Sequence, residues 1–326
     1  MKKNRTYEIL TGILAGLFAV VIGMAIISAA NIASYFSLLL GCFLSLPIFI
    51  VAFSQGTLAS FIALISAAVI LSITVNIYIA LGFMLLSFLP AVYASWLLGL
   101  ARPAQKENTL IWYPLSAVIF RLTNFIALIV TFIGLYIKSR PDTTLTAKKI
   151  TENIVQTLQQ SQSLKEANIL AVSEFLMANA ATLASIALTI YSLIFLIGNL
   201  YFSMITAQYM KWLKRPRDDW SKTFRLPISG IVIFIIVSIA SMIELSASLN
   251  LGTCVFSSAY IIIIAISGLA YLHNITKGIN GRIIILSLVY IAILTVVFSP
   301  PISFMILLMG IWASIQYNFQ SHKKLH

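Results

Sequence analysis

The sequence predicts an all-α, polytopic transmembrane helix bundle, and three observations carry that expectation. The 326-residue chain is 60% hydrophobic and only 9% charged, where soluble domains run about 45–50% apolar and about 25% charged. No charged residue occurs in 10–101 or in 283–321. One span needs only about 20 residues, so each of these runs must fold back on itself. Neither run alternates with period two, which excludes barrel strands, and in lipid a helix satisfies its own backbone groups.

The stretch 199–227 sets the orientation. An apolar segment runs into a knot holding Lys211, Lys214, Arg215, Arg217, Lys222 and Arg225, opposed only by Asp218 and Asp219 and threaded by Trp212 and Trp220. A cationic loop with tryptophan between two apolar segments belongs on the cytoplasmic side. The spans are counted outward from this inner basic loop, 211–226.

Residues 1–8 carry Lys2, Lys3 and Arg5, and the apolar run 9–30 follows as the first span. It is too long for a signal-peptide core of about 7–15 residues. Further spans are expected at 34–53, with Pro47 near its inner end, at 58–75, and at 77–100, broken by Pro90. A basic polar loop, 101–108, returns the chain to the inside. The fifth span, 115–137, leads to an outer polar segment, 138–174. Ile150, Ile154 and Leu158 form one stripe there, so 146–159 reads as an amphipathic surface helix, a connector rather than a binding lid. Spans at 178–210, 228–247, 252–272, 283–298 and 302–317 complete the chain, with an outer turn forced by Pro300 and Pro301.

This gives about ten spans in a single integral membrane domain covering 1–326, both termini cytoplasmic. Eight follows if two hairpins are re-entrant. Of the 21 Lys and Arg residues, Lys138, Arg140, Lys148, Lys149 and Lys165 lie in the outer segment and Arg121 lies in a span; the rest fall inside. All five tryptophans fall on or towards the same side. The net charge of +12 therefore marks orientation and contact with anionic lipid at the inner face, and no nucleic-acid partner is expected.

Charges within spans are functional candidates. Arg121 sits roughly 9 Å into its span, with Asn124 one turn on; it either snorkels to the inner surface or joins a buried polar site. Glu244 stands towards the outer end of span seven. With Asn76 and Asn199, these residues form the expected ligand-binding set. Ala15, Ala19 and Gly23, spaced by four on the first span, form a small-residue face. Such a face serves helix packing or the docking of a partner. Cys42 and Cys254 read as packing residues, and His273 as a helix-end residue. The sequence lacks HExxH, GxSxG, a phosphate-binding glycine loop and any Cys/His cluster. No catalytic residue, metal or cofactor is therefore expected.

Several stretches resemble the YybS-like family of multi-pass bacterial membrane proteins. They are Leu46-Pro47-Ile48-Phe49, the run LPAVYASWLLGLARP at 89–103, Trp112-Tyr113-Pro114, Phe224-Arg225-Leu226-Pro227 and GLAYLHNITKG at 268–278. The family has no established function. The last helix departs from its pattern: Gly310 is followed by Ala313 and Gln320 where the family carries an acidic and a basic residue. The first span is also distantly similar to that of substrate-binding membrane subunits of energy-coupling-factor transporters. That resemblance implies that Ala15 and Ala19 dock on a transmembrane coupling subunit linked to an ATPase. The expectation is a non-enzymatic protein of the bacterial inner membrane that binds a small metabolite as a transporter or transporter subunit. The alternative is a scaffold or assembly factor acting through 211–226.

Overall fold

The computed structural model describes residues 5–32, 34–103, 110–140, 166–243, 245–295 and 300–323. Most of the described residues are helical. Helix α1 (Arg5–Ile32) packs along α4 (Thr57–Thr74). The two run parallel: a Cβ on Gly12 would meet the Ala59 carbonyl oxygen, one on Gly16 the Ser66 hydroxyl, and one on Gly23 the Phe83 and Leu71 side chains. Ala15, Ala19 and Gly23 are all buried in this region. The docking expectation for these three is therefore corrected. Their face is covered within the chain, because small side chains let two helix backbones approach closely enough to exclude anything else.

The expected second span is two helices, α2 (Ser34–Gly41) and α3 (Leu46–Ser54). Tight turns separate them, with Cys42 N–H bonding to Leu39 and Phe43 N–H to Leu40. Pro47 stands in the first turn of α3, where a missing N–H costs no helical bond. The break expected at Pro90 does not occur. Helix α5 (Ile77–Phe83) continues through a wide π-turn, Met84–Phe88, into α6 (Leu89–Leu98). Leu89 N–H reaches back to the Met84 carbonyl, and one wide turn accommodates a proline that a regular turn would not.

The loop expected at 101–108 begins as β1 (Ala101–Pro103), paired antiparallel with β2 (Leu110–Trp112). Helix α7 (Leu115–Lys138) follows, then α8 (Glu166–Tyr209), whose 44 residues begin well before the expected 178. A single turn, α9 (Trp220–Thr223), is capped by Asp219. The last four helices are α10 (Ile228–Ala240), α11 (Ala247–Ile275), α12 (Arg282–Thr295) and α13 (Pro300–Lys323). Pro300 and Pro301 open α13. The surface helix expected at 146–159 and Glu244 lie outside the described residues.

Helix α11 is the hub, in contact with α7, α8, α10 and α13. Burial is distributed as a bilayer requires. Ser60, Thr123, Thr189, Ser203, Ser267 and Ser314 are fully buried, whereas Phe132, Ile236 and Ile283 stand 69%, 60% and 80% exposed. Many of the inward hydroxyls bond to carbonyls one turn back, as Thr123 does to Ile119 and Thr189 to Ser185. Apolar groups outside and satisfied polar groups inside are what a lipid solvent selects. Eight helical segments of the described chain are long and apolar enough to cross a membrane; Ile228–Ala240 and Arg282–Ile293 are shorter. The chain is an all-α, multi-pass membrane protein.

Candidate binding site

The basic loop does not hang free. Helix α8 ends in a Schellman-type turn: Trp212 N–H bonds to the Ala207 carbonyl, and Lys211 takes the left-handed conformation at φ 59°. The chain then folds back beneath α6 and α7. Arg215 is 6% exposed. It donates to the carbonyls of Leu98 and Tyr113, both at 3.2 Å, and pairs with Asp218 at 2.6 Å. Burial lowers the Arg215 pKa and raises that of Asp218 even though each faces its opposite charge. Desolvation thus outweighs the attraction between them.

Arg225, 4% exposed, is held the same way. It donates to the carbonyls of Phe224 and Ser221, both at 2.7 Å, and lies over the Tyr271 ring. Burial lowers its pKa too. The backbone at 224–226 is threaded between α11 and α13. Ser267 donates to the Phe224 carbonyl, Leu226 N–H to the Ser314 hydroxyl, and Asn318 to the Leu226 carbonyl. Arg215 and Arg225 are thus internal clasps, which corrects their assignment to lipid or partner contact. Lys211, Lys214, Arg217 and Lys222 remain exposed.

Beside these clasps lies a cavity of about 770 Å³, between α8, α11 and α12. Its deep part is apolar, lined by Ile194, Ile197 and Gly198 of α8 and by Ile266, Leu269 and Ala270 of α11. Its rim is polar. Arg217 bonds to Gln208 at 3.2 Å and lies over Tyr201, 5.6 Å from the ring centroid. Tyr201 meets Trp220 edge-on, and the Trp220 indole N–H is buried without a partner. Across the rim, His273 Nε2 and the Tyr290 hydroxyl are 2.8 Å apart, and Arg282 approaches His273 Nδ1 at 3.4 Å. Arg282 Nε has no partner either.

Lys277 bonds to Asp219 and Ser221, each at 2.7 Å. This bond from Lys277 is the main reason the Asp219 pKa falls to about 2. The two rim carboxylates are thus taken, Asp218 by Arg215 and Asp219 by Lys277. Arg217 and Arg282 keep no carboxylate partner among the described residues. The arrangement can hold an anionic group at the rim and an apolar group below it.

None of the described members of the expected ligand set lines this cavity. Asn76 is an exposed N-cap, accepting from Tyr78 N–H at 2.8 Å. Arg121 is exposed, with its guanidinium 5.2 Å from the Tyr113 ring centroid. Asn124 donates to Phe120 and accepts from Tyr260. Asn199 is 1% exposed and donates to Phe195, and its Oδ1 has no partner. Sequence reasoning used Lys277 and Arg282 only to count orientation, and took His273 for a helix end. Tyr201, Gln208 and Tyr290 carried no sequence signal, since only the fold brings them to one rim.

No known protein family matches the chain, nor does any curated protein or solved structure. The likenesses to the YybS-like family and to transporter subunits therefore rest on the quoted stretches alone.

Proposed function

We propose that this chain is a binding protein of the bacterial inner membrane, not an enzyme, and that it takes an organic anion in the cavity between α8, α11 and α12, as a transporter or transporter subunit. One observation carries the reading: Arg217 and Arg282 stand at the rim of an apolar cavity without a carboxylate partner among the described residues. Guanidinium groups in that setting favour carboxylate or phosphate ligands. On this reading 211–226 lies on the cytoplasmic side, and both termini lie there as well. The contacts of Arg215 with Leu98 and Tyr113, and of Lys277 with Asp219, support that orientation by gathering these helix ends together.

Native mass spectrometry of the protein, extracted from its own membranes in mild detergent, tests the proposal. A bound anionic species should accompany the native chain and be lost in Arg217→Ala/Arg282→Ala. A wild-type protein that carries no such species, and gains none from a panel of carboxylates and phosphates, would falsify the reading.

The second reading, a scaffold or assembly factor, is favoured by the exposure of Lys211, Lys214 and Lys222 on one loop. Replacing these three with Gln should then abolish recovery of a cytoplasmic partner while the cavity variants keep it.

A further inference from the structure

We infer that the anion is an anionic phospholipid, whose phosphate is held by Arg217 and Arg282 and whose acyl chain lies along α8 and α11. This rests on the proposal above that the cavity takes an organic anion, and it names the source. The lining is segregated by depth: Ile194 and Ile197 lie three to four turns of α8 from Gln208 at the rim, and Ile266 lies about two turns of α11 from His273. A small soluble anion would use the rim alone and leave the apolar depth unfilled. An ion moved deeper would lose its hydration without gaining partners. A lipid satisfies both halves at once, with its headgroup at the level where the helices end.

The side wall points the same way. No described residue of Arg282–Ile293 on α12 is buried. Tyr290, which faces the cavity, is still 40% exposed. Helix α12 is thus a loosely packed wall with bilayer on its far side, and the hydrogen bond of Tyr290 to His273 ties it to α11. The buried, unpartnered N–H groups of Trp220 and Arg282 are donors that a phosphate oxygen would satisfy.

The test uses the indole at the rim. A variant retaining only Trp220, with Trp96, Trp112, Trp212 and Trp312 changed to Phe, is placed in vesicles containing phosphatidylglycerol or phosphatidylcholine with brominated acyl chains. A second variant retaining only Trp312, 62% exposed on α13, reports ordinary boundary lipid. Brominated phosphatidylglycerol should quench Trp220 severalfold more than brominated phosphatidylcholine does, with no such preference at Trp312. Unbrominated phosphatidylglycerol should reverse the quenching and phosphatidylcholine should not, a competition that needs no rim substitution. Arg282→Ala should remove the preference and Lys222→Ala should keep it. Equal quenching of Trp220 by both lipids overturns the lipid assignment. Should a soluble carboxylate or phosphate ester then shift Trp220 emission, the organic-anion reading survives without the lipid. Should neither do so and no native adduct appear, both fall.

Discussion

Gly268 of α11 and Gly310 of α13 meet backbone to backbone. A Cβ on Gly268 would lie 3.1 Å from the Gly310 nitrogen and would strike the Ile306 carbonyl, and one on Gly310 would strike the carbonyl of Ile264. Contact this close requires that neither residue carry a side chain. Gly310→Ala should force the helices apart and cost about 1–3 kcal/mol, seen as a lower unfolding midpoint in detergent. Gly82→Ala, where a Cβ meets nothing within 4 Å, should be neutral or stabilising by up to about 1 kcal/mol.

Arg215 should be the most costly residue of the basic loop to remove. Its loss strands the Leu98 and Tyr113 carbonyls and leaves Asp218 unpaired. Arg215→Met is expected to destabilise by about 3–5 kcal/mol, the range for breaking a buried pair from one side. Arg215→Met/Asp218→Leu should recover part of that. Lys214→Ala, an exposed neighbour, should stay within about 0.5 kcal/mol. Chemical unfolding of the four proteins in one detergent separates these outcomes.

The neighbouring carboxylates predict opposite acid responses. Asp219 falls from 3.8 to about 2, chiefly through the bond from Lys277. Its contribution is present above pH ~4 and lost as pH falls towards about 2. Asp218 is raised by burial, so its contribution is full below 3.8 and declines as pH rises through its folded value. The midpoint difference between wild type and Asp219→Asn should be flat above pH ~4 and shrink on acidification. For Asp218→Asn the difference should change in the other direction. Parallel responses would show that the two groups share one environment.

Tyr260 is fully buried and donates to Asn124 Oδ1 at 3.0 Å, joining α11 to α7. Interhelical bonds of this kind average about 0.6 kcal/mol and reach about 1.7. Tyr260→Phe should cost that much and leave ligand binding unchanged. A loss of binding in Tyr260→Phe would return Asn124 to the list of ligand contacts.

Lys211 holds a left-handed conformation without being glycine. Lys211→Gly should stabilise the turn by roughly 0.5–1 kcal/mol, the left-handed penalty of about 1–2 kcal/mol less the greater chain entropy of glycine. If the scaffold reading holds, the same variant should bind its partner more weakly, which a pull-down beside the unfolding curve would detect.

The helices were legible because lipid imposes length and apolarity on every span. What they pack against was not. Ala15 and Ala19 on α1 and Ala59, Ala63 and Ala67 on α4 are two small rows with the same spacing of four. Neither row says which helix it will meet, and the fold packs one against the other. That pairing of distant helices leaves no trace in either segment alone. Arg215 and Arg217 make the same point at shorter range. Two positions apart in one charged run, one is buried against Leu98 and Tyr113 and the other borders the cavity. Local composition says that the run is basic, but only the location of acceptor carbonyls decides which side chain turns inward. The cavity was least legible, because α8, α11 and α12 each contribute a few ordinary residues to it.

The Arg215 clasp also fixes an order of assembly. Its acceptor at Leu98 precedes it by 117 residues and its acceptor at Tyr113 by 102. At about 5–20 residues synthesised per second, these carbonyls emerge roughly 5–25 s before their donor exists. The junction of α6 and α7 is therefore inserted with its last bonds open, to water or to lipid headgroups. It locks only after α8 has been threaded and the basic loop has swung back beneath it. A nascent chain halted between Lys138 and Arg215 would hold α1 to α7 without the pin that joins them to the rest.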